Sequence, residues 1–261
     1  MTPLQQAALL GLVQGLTEFL PVSSSAHLRL IPELAGWPYL GKSFDVALHG
    51  GTLVALVAYF RADFSRLLSC LRPGREPDPA ARRLLGRLAL ASLPVATVGF
   101  LLEHFLESHF QGGLSVAFWL ALVGLAMALA DRSPGRLEMR ELSWPQALVV
   151  GVSQVLALFP GASRSGTTMA AGRMLGLTRI EAARFSFLLG FPVILGATLY
   201  KLLRWEGGEP LLLLVGVLAA ASSGFLAIRL CLAVLPRWGL LPFALYRLAL
   251  ALWLCLRAPG P

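Results

Sequence analysis

Residues 11–27 read GLVQGLTEFLPVSSSAH: an apolar helix that meets Pro21 and breaks into three serines and a histidine. Residues 151–166 read GVSQVLALFPGASRSG, with the same order of Gly-x-x-Gln, apolar helix, proline and serine-rich turn. The longer segments that contain them, 4–35 and 144–178, each start as a helix, stop at a proline and continue through small polar residues into a second apolar stretch. What such a break means depends on whether it lies in water or in lipid.

The surrounding sequence indicates lipid. The chain of 261 residues is 56% hydrophobic and 14% charged, where a soluble domain is about a quarter charged and about half apolar. Apolar runs recur at 44–60, 88–105, 114–130, 185–200, 211–235 and 240–256, close to the roughly 17–25 residues that cross a bilayer. The expected fold class is therefore all-α: a polytopic membrane protein with six transmembrane helices plus two re-entrant helical hairpins. The start, MTPLQQAALL, lacks a basic region and Glu18 interrupts the apolar stretch, so no cleavable signal is expected. Cys70, Cys231 and Cys255 have no metal-ligand or disulfide spacing and read as small packing residues.

The net charge of +8 is carried by loops between spans, which argues for a membrane surface and against nucleic acid as the partner. Residues 61–87 hold seven arginines and residues 131–142 three, so both face the cytoplasm by the positive-inside rule. Residues 102–113 have acids and the histidines His104 and His109 but no Lys or Arg, as an exposed external loop should. Alternation then puts both termini outside. Each half, 1–130 and 144–261, is a broken hairpin followed by three spans. Three is odd, so the halves enter the membrane with opposite orientation, as an inverted-topology repeat within a single membrane domain.

Irregular backbone at membrane depth survives only when buried in protein or lining a watery cavity, so the two serine-rich turns are expected to share one cavity. Gln14 and Glu18 lie i, i+4 on one helix face, and a carboxylate plus an amide oxygen suits a hard divalent cation. Ser23, Ser24 and Ser25 precede His27, and a hydroxyl beside an imidazole is the minimum apparatus for nucleophilic or acid–base chemistry. The second turn supplies Arg164 between Ser163 and Ser165, then Thr167 and Thr168, a set suited to a phosphate. Arg173 and Arg179 fit better as arginines reaching the interface. Asp45 and His49, also i, i+4, suit either the cavity mouth or a solvated helix end. Together these parts suit phosphoryl transfer on a lipid-tailed substrate.

QGLTEFLPVSSSAH (14–27) with PGASRSGTT (160–168) and FDVALHGGTLVALVAYF (44–60) resembles the undecaprenyl-diphosphate phosphatase family known for bacitracin resistance. The resemblance covers almost the whole chain. It implies a bacterial inner-membrane enzyme that hydrolyses undecaprenyl diphosphate to the monophosphate and inorganic phosphate, recycling the carrier for peptidoglycan, with the site open to the outer, periplasmic face and Mg2+ or Ca2+ as cofactor. By motif, Gln14 and Glu18 would be the metal-binding pair, Ser24 and His27 the catalytic residues and Arg164 the phosphate ligand. Ser23, Ser25, Ser163, Ser165 and Thr168 would complete the pocket. The family pattern allows Glu or Gln first; Gln14 leaves Glu18 as the only charged metal ligand. The alternative is a transporter or flippase for a phosphorylated polyprenyl lipid, since inverted repeats with broken helices are typical of carriers. A Ser-Arg…His…Asp lipid phosphatase is excluded because no histidine follows Ser163-Arg164 within a dozen residues. The small-residue stretch GVLAAASSG (216–224) suits either internal packing or a homodimer contact.

Overall fold

A computed structural model describes residues 1–72, 78–110, 112–203 and 207–257, in which the regular structure is helical apart from a single parallel bridge between Leu137 and Leu177. The helices are α1 (Pro3–Phe19), α2 (Ser24–Ala35), α3 (Lys42–Tyr59), α4 (Arg61–Ser69), α5 (Pro79–His109), α6 (Gly113–Ala130), α7 (Trp144–Ser153), α8 (Arg164–Met174), α9 (Arg179–Leu202), α10 (Pro210–Trp238) and α11 (Leu241–Arg257). Four described stretches, Pro79–Leu102, α6, α9 and α10, are long and apolar enough to cross a bilayer. The bent pair α3 and α4 makes a fifth if taken as one span, although α4 turns away by 81°. Outward-facing side chains such as Phe100, Leu101, Phe118 and Leu218 are well exposed, the surface expected of a helix set in lipid. This is a multi-pass membrane protein.

Two expected boundaries move. Helix α5 runs to His109, so the polar residues placed in an external loop lie on an extension of the helix. His109 donates from Nδ1 to the Phe105 carbonyl at 2.9 Å; the His104 side chain lies outside the described residues. The arginine-rich stretch after α3 contains a helix of its own, α4. Arg173 does not reach for the interface: it is 4% exposed and donates to the carbonyls of Leu177, Asp131 and Ser133. Arg179 instead forms a two-pronged ion pair with Asp131, at 2.8 and 3.1 Å.

Both broken hairpins are present. Helix α1 is closed at its start by a capping box between Thr2 and Gln5, with Pro3 at its first positions, and ends before Leu20-Pro21. Helix α7 starts with the matching box, Ser143 with Gln146 and a proline, then tightens into a 3-10 turn over Gln154–Leu158. After each break the next helix opens within four or five residues. The second turn bends at Gly161 (φ 95°), and each helix is preceded by a left-handed serine, Ser23 (φ 79°) before α2 and Ser163 (φ 69°) before α8. These are the non-glycine residues with positive φ among those described, and each such conformation costs on the order of 1–3 kcal/mol that its surroundings must offset.

Two contacts hold the hairpins. Helix α1 lies against α10 along small residues: a Cβ on Gly15 would sit 2.5 Å from the Gly224 nitrogen and on the Ala220 carbonyl and Ser223 hydroxyl. Gly216 meets Phe44 and Leu48 of α3 in the same way. The stretch 216–224 therefore serves internal packing. On the other side, Arg247 of α11 is fully buried, at 0% exposure. Its guanidinium donates to the carbonyls of Pro21 (3.4 Å), Gly161 (2.9 Å) and Ala162 (3.0 Å), and to those of Trp119 (3.3 Å) and Leu120 (3.2 Å) on α6. One side chain thereby satisfies carbonyls that both broken helices leave without helical partners.

Two stability predictions follow. Gly15→Val forces backbone apart at the α1–α10 seam and should cost about 1–3 kcal/mol, read as a lower thermal unfolding midpoint in detergent. Arg247→Met leaves several buried carbonyls without a donor, at about 1–3 kcal/mol each. It should unfold at a lower temperature than an Arg229→Met control, Arg229 being exposed. Equal midpoints would show that the carbonyl cage contributes nothing.

Candidate active site

The two turns meet around Glu18. This carboxylate sits one residue before the end of α1, at 8% exposure, where an unpaired charge would be costly at membrane depth. Three side chains answer it. Arg164, the first residue of α8, places Nη2 2.9 Å from Oε1. The Ser24 hydroxyl at the start of α2 donates to Oε2 at 2.8 Å. The Gln14 amide, one turn earlier on α1, donates to the same oxygen at 3.3 Å. Two further bonds stitch the turns together: Ser165 Oγ donates to the Glu18 carbonyl at 3.2 Å, and the Gly161 N–H donates to Ser25 Oγ at 3.3 Å.

Above these groups lies a cavity of ≈ 170 Å³ lined by Thr17, Glu18, Ser23, Ser24, Ser25, His49, Ala157, Ser163 and Arg164. Six of the residues singled out by sequence therefore share one wall: Glu18, Ser23, Ser24, Ser25, Ser163 and Arg164. Ser23 makes no side-chain cap to α2, so the first amides of that helix are left for an anion at the positive end of its dipole. Ser163, in contrast, caps α8 by accepting from the Gly166 N–H at 3.2 Å. Arg164 is held by a second bond, from Nη1 to the Ser186 carbonyl at 3.0 Å, while its buried Nε has no partner.

The remaining expected residues stand behind that wall. Thr167 and Thr168 turn their hydroxyls back onto the carbonyls of Ser163 and Arg164, and Thr168 also meets the Ser186 hydroxyl at 2.7 Å. They brace Arg164 and do not line the cavity. Ser165 is 1% exposed and bonds Ser163 Oγ at 3.3 Å. His27 departs most from expectation. Its Nδ1 donates to the Ser23 carbonyl at 2.7 Å and its Nε2 accepts from the Tyr246 hydroxyl at 2.6 Å, so both ring nitrogens are engaged away from Ser24. The group hydrogen-bonded to the Ser24 hydroxyl is Glu18.

Gln14 is fully buried, and its Oε1 has no partner. The amide presents Nε2 to Glu18 and Gln14 lies behind the cavity lining, so its orphaned oxygen would join the carboxylate on a divalent cation only with the amide turned over. The described residues contain no group of three or more His, Cys, Asp or Glu able to hold a metal. The donors suffice only for a cation that takes most of its ligands from phosphate and water, as Mg2+ commonly does.

Sequence reasoning gave little weight to His49, which lines the cavity from α3, and missed Ser186, Tyr246 and Arg247. The i, i+4 spacing of Asp45 and His49 was the one usable signal. The other three act on partners far away in the chain.

Comparison with known proteins shows the family. The sequence profile described as bacitracin resistance protein BacA matches residues 7–253. A protein of Moorella thermoacetica named undecaprenyl-diphosphatase is 48% identical over 249 residues, spanning 94% of this chain and 94% of its own length. Proteins of the same name from Pelotomaculum thermopropionicum (95% of this chain, 94% of its own) and Geobacter sulfurreducens (94% of each) are each 44% identical. A match of that extent leaves one conclusion: the chain belongs to the bacitracin resistance protein BacA family.

Proposed function

We propose that this protein hydrolyses undecaprenyl diphosphate to undecaprenyl phosphate and inorganic phosphate, returning the lipid carrier to peptidoglycan synthesis and so conferring bacitracin resistance. The observation that carries the proposal is a single carboxylate, Glu18, joined to a hydroxyl from one broken helix and a guanidinium from the other on the wall of one cavity. The name shared by the relatives from Moorella, Pelotomaculum and Geobacter supports the substrate.

In this scheme the terminal phosphate lies against Arg164 and the open amides at the start of α2. The Ser24 oxygen attacks the terminal phosphorus and its proton passes to Glu18, already 2.8 Å away. The bond from that phosphorus to the bridging oxygen breaks, and its electron pair leaves with undecaprenyl phosphate. The phosphoserine that remains is then cleaved by water. Ser23, Ser25 and Ser163 line the phosphate pocket, Thr167, Thr168 and Ser165 hold its rear wall, and His27 holds the turn that presents Ser24. Gln14 and Glu18 would hold a Mg2+ or Ca2+ ion. When bound, such a cation supplies charge neutralisation for the reacting phosphoryl group.

The same reading extends to placement. Six transmembrane helices with two re-entrant hairpins in a bacterial inner membrane would put the arginine-rich end in the cytoplasm. The cavity and both termini would face outward. Two inverted halves, 1–130 and 144–261, are supported by the matching left-handed serines and capping boxes and by Gln14 and Gln154, each fully buried. A homodimer would use surfaces other than the small-residue face of α10, which is occupied by α1 and α3.

Purified protein in detergent should release phosphate from a C55 or C15 prenyl diphosphate with Mg2+ or Ca2+ and not with EDTA. Glu18→Gln, Ser24→Ala and Arg164→Ala should each lower kcat by at least about 100-fold. A folded wild-type protein that binds the lipid yet releases no phosphate under any cation would leave the carrier reading in its place. Gln14→Glu supplies a second carboxylate and should lower the Mg2+ concentration needed for half-maximal turnover. An unchanged cation requirement would place the ion elsewhere.

A further inference from the structure

The scheme above leaves the hydrolytic water without a partner. Displacement at phosphorus is in line, so Ser24 attacks from one side and undecaprenyl phosphate leaves from the other. The water that later cleaves the phosphoserine enters from the vacated side. Glu18 is committed to the Ser24 side by its 2.8 Å hydrogen bond. Among the other cavity-lining groups, Thr17 donates its hydroxyl to the Val13 carbonyl, the Ser23 and Ser25 hydroxyls bond each other at 3.2 Å, Ser25 also accepts from Gly161, Ser163 caps α8, and Arg164 has no acceptor. His49 is different. It reaches the cavity from a separate helix, α3, and its Nδ1 donates to the Asp45 carbonyl at 2.8 Å. That bond fixes the tautomer of the neutral ring, so Nε2 carries the lone pair and has no partner among the described residues.

We propose that His49 orients the hydrolytic water by accepting its hydrogen bond at Nε2. This rests on the phosphatase reading. The water oxygen bonds to the phosphoserine phosphorus, and the bond from phosphorus to Ser24 Oγ breaks. The electron pair on Oγ takes up the proton that Glu18 received in the first step. Both water protons leave with the product as dihydrogen phosphate. His49 needs only to hold the water in line, and its main-chain anchor at Asp45 holds the ring for that purpose.

The test is single-turnover hydrolysis of farnesyl diphosphate labelled with 32P in its terminal phosphate, in Mg2+, by wild type, His49→Ala, His49→Leu and His49→Gln. An amide offers one donor for the Asp45 carbonyl and one acceptor for the water, so His49→Gln should stay within about tenfold of wild type. His49→Ala and His49→Leu should lose about 100-fold or more in kcat, the scale of a lost positioning group, and should accumulate label on the protein. Ser24→Ala should carry none. A merely structural role for His49 would lower turnover without trapping label. Slow Ala and Leu variants without labelled protein overturn the inference, as does turnover in them within threefold of wild type. A Gln variant as slow as Ala also overturns it, because accepting a hydrogen bond would then not be what the position requires. Failure of wild type to release phosphate at all would sink the phosphatase reading instead.

Discussion

A guanidinium buried without a carboxylate holds this molecule together. Arg247 brings a positive charge to the centre of an apolar helix set and spends it on five main-chain carbonyls, three of them in the two places where a helix has been broken. A broken helix in lipid exposes carbonyls that no water can satisfy. A neutral side chain could answer one or two of them; the five-donor fork of arginine answers the whole set from a single position. Once the turns are held, Ser24 and Arg164 each begin a new helix, aimed at the same carboxylate.

Charge balance at the site follows the same economy. Glu18 and Arg164 neutralise each other, their side chains 8% and 10% exposed, so neither is left as an isolated ion at depth. Each keeps some capacity in reserve. Arg164 retains an unpartnered Nε and the Gln14 amide an unpartnered oxygen. The unpartnered Nε leaves Arg164 one donor beyond those used by Glu18 and Ser186. Left-handed serines at both turns carry backbone strain at the point where the Ser24 hydroxyl and the Arg164 guanidinium are presented to Glu18.

The broken hairpins were legible in the sequence because prolines and serines interrupt apolar helices, a conflict that few folds resolve in any other way. Glu18 and Arg164 were legible for the same reason, each being costly in lipid unless the other is near; Ser24 was singled out among three serines by the family resemblance. The direction of the His27 ring was not legible, because spacing specifies a helix face but not where a ring points. Its imidazole lies three residues after Ser24, yet Tyr246, 219 residues away, sets where it points. Arg247 could not be read at all, since its partners are carbonyls, which every residue carries, and the most distant is 226 residues off. The first and last expected spans remain the least distinct. Helix α3 contains Asp45 and His49, and α11 has 17 residues around a buried arginine.

The seam between α1 and α10 has a mechanical consequence. Where Gly15 meets Gly224 the two helices touch main chain to main chain, so no rotamer change can loosen the contact and Glu18 rides on a fixed rail. The second hairpin has main-chain contacts of its own, Gly151 against Ala91 of α5 and Gly161 against Val116 of α6. An isoprenoid entering between the turns therefore meets two walls whose separation is set by backbone. The spacing between Glu18 and Arg164 is then set from behind, at glycine seams on neighbouring helices, and the grip on a head group is decided where no reacting group stands.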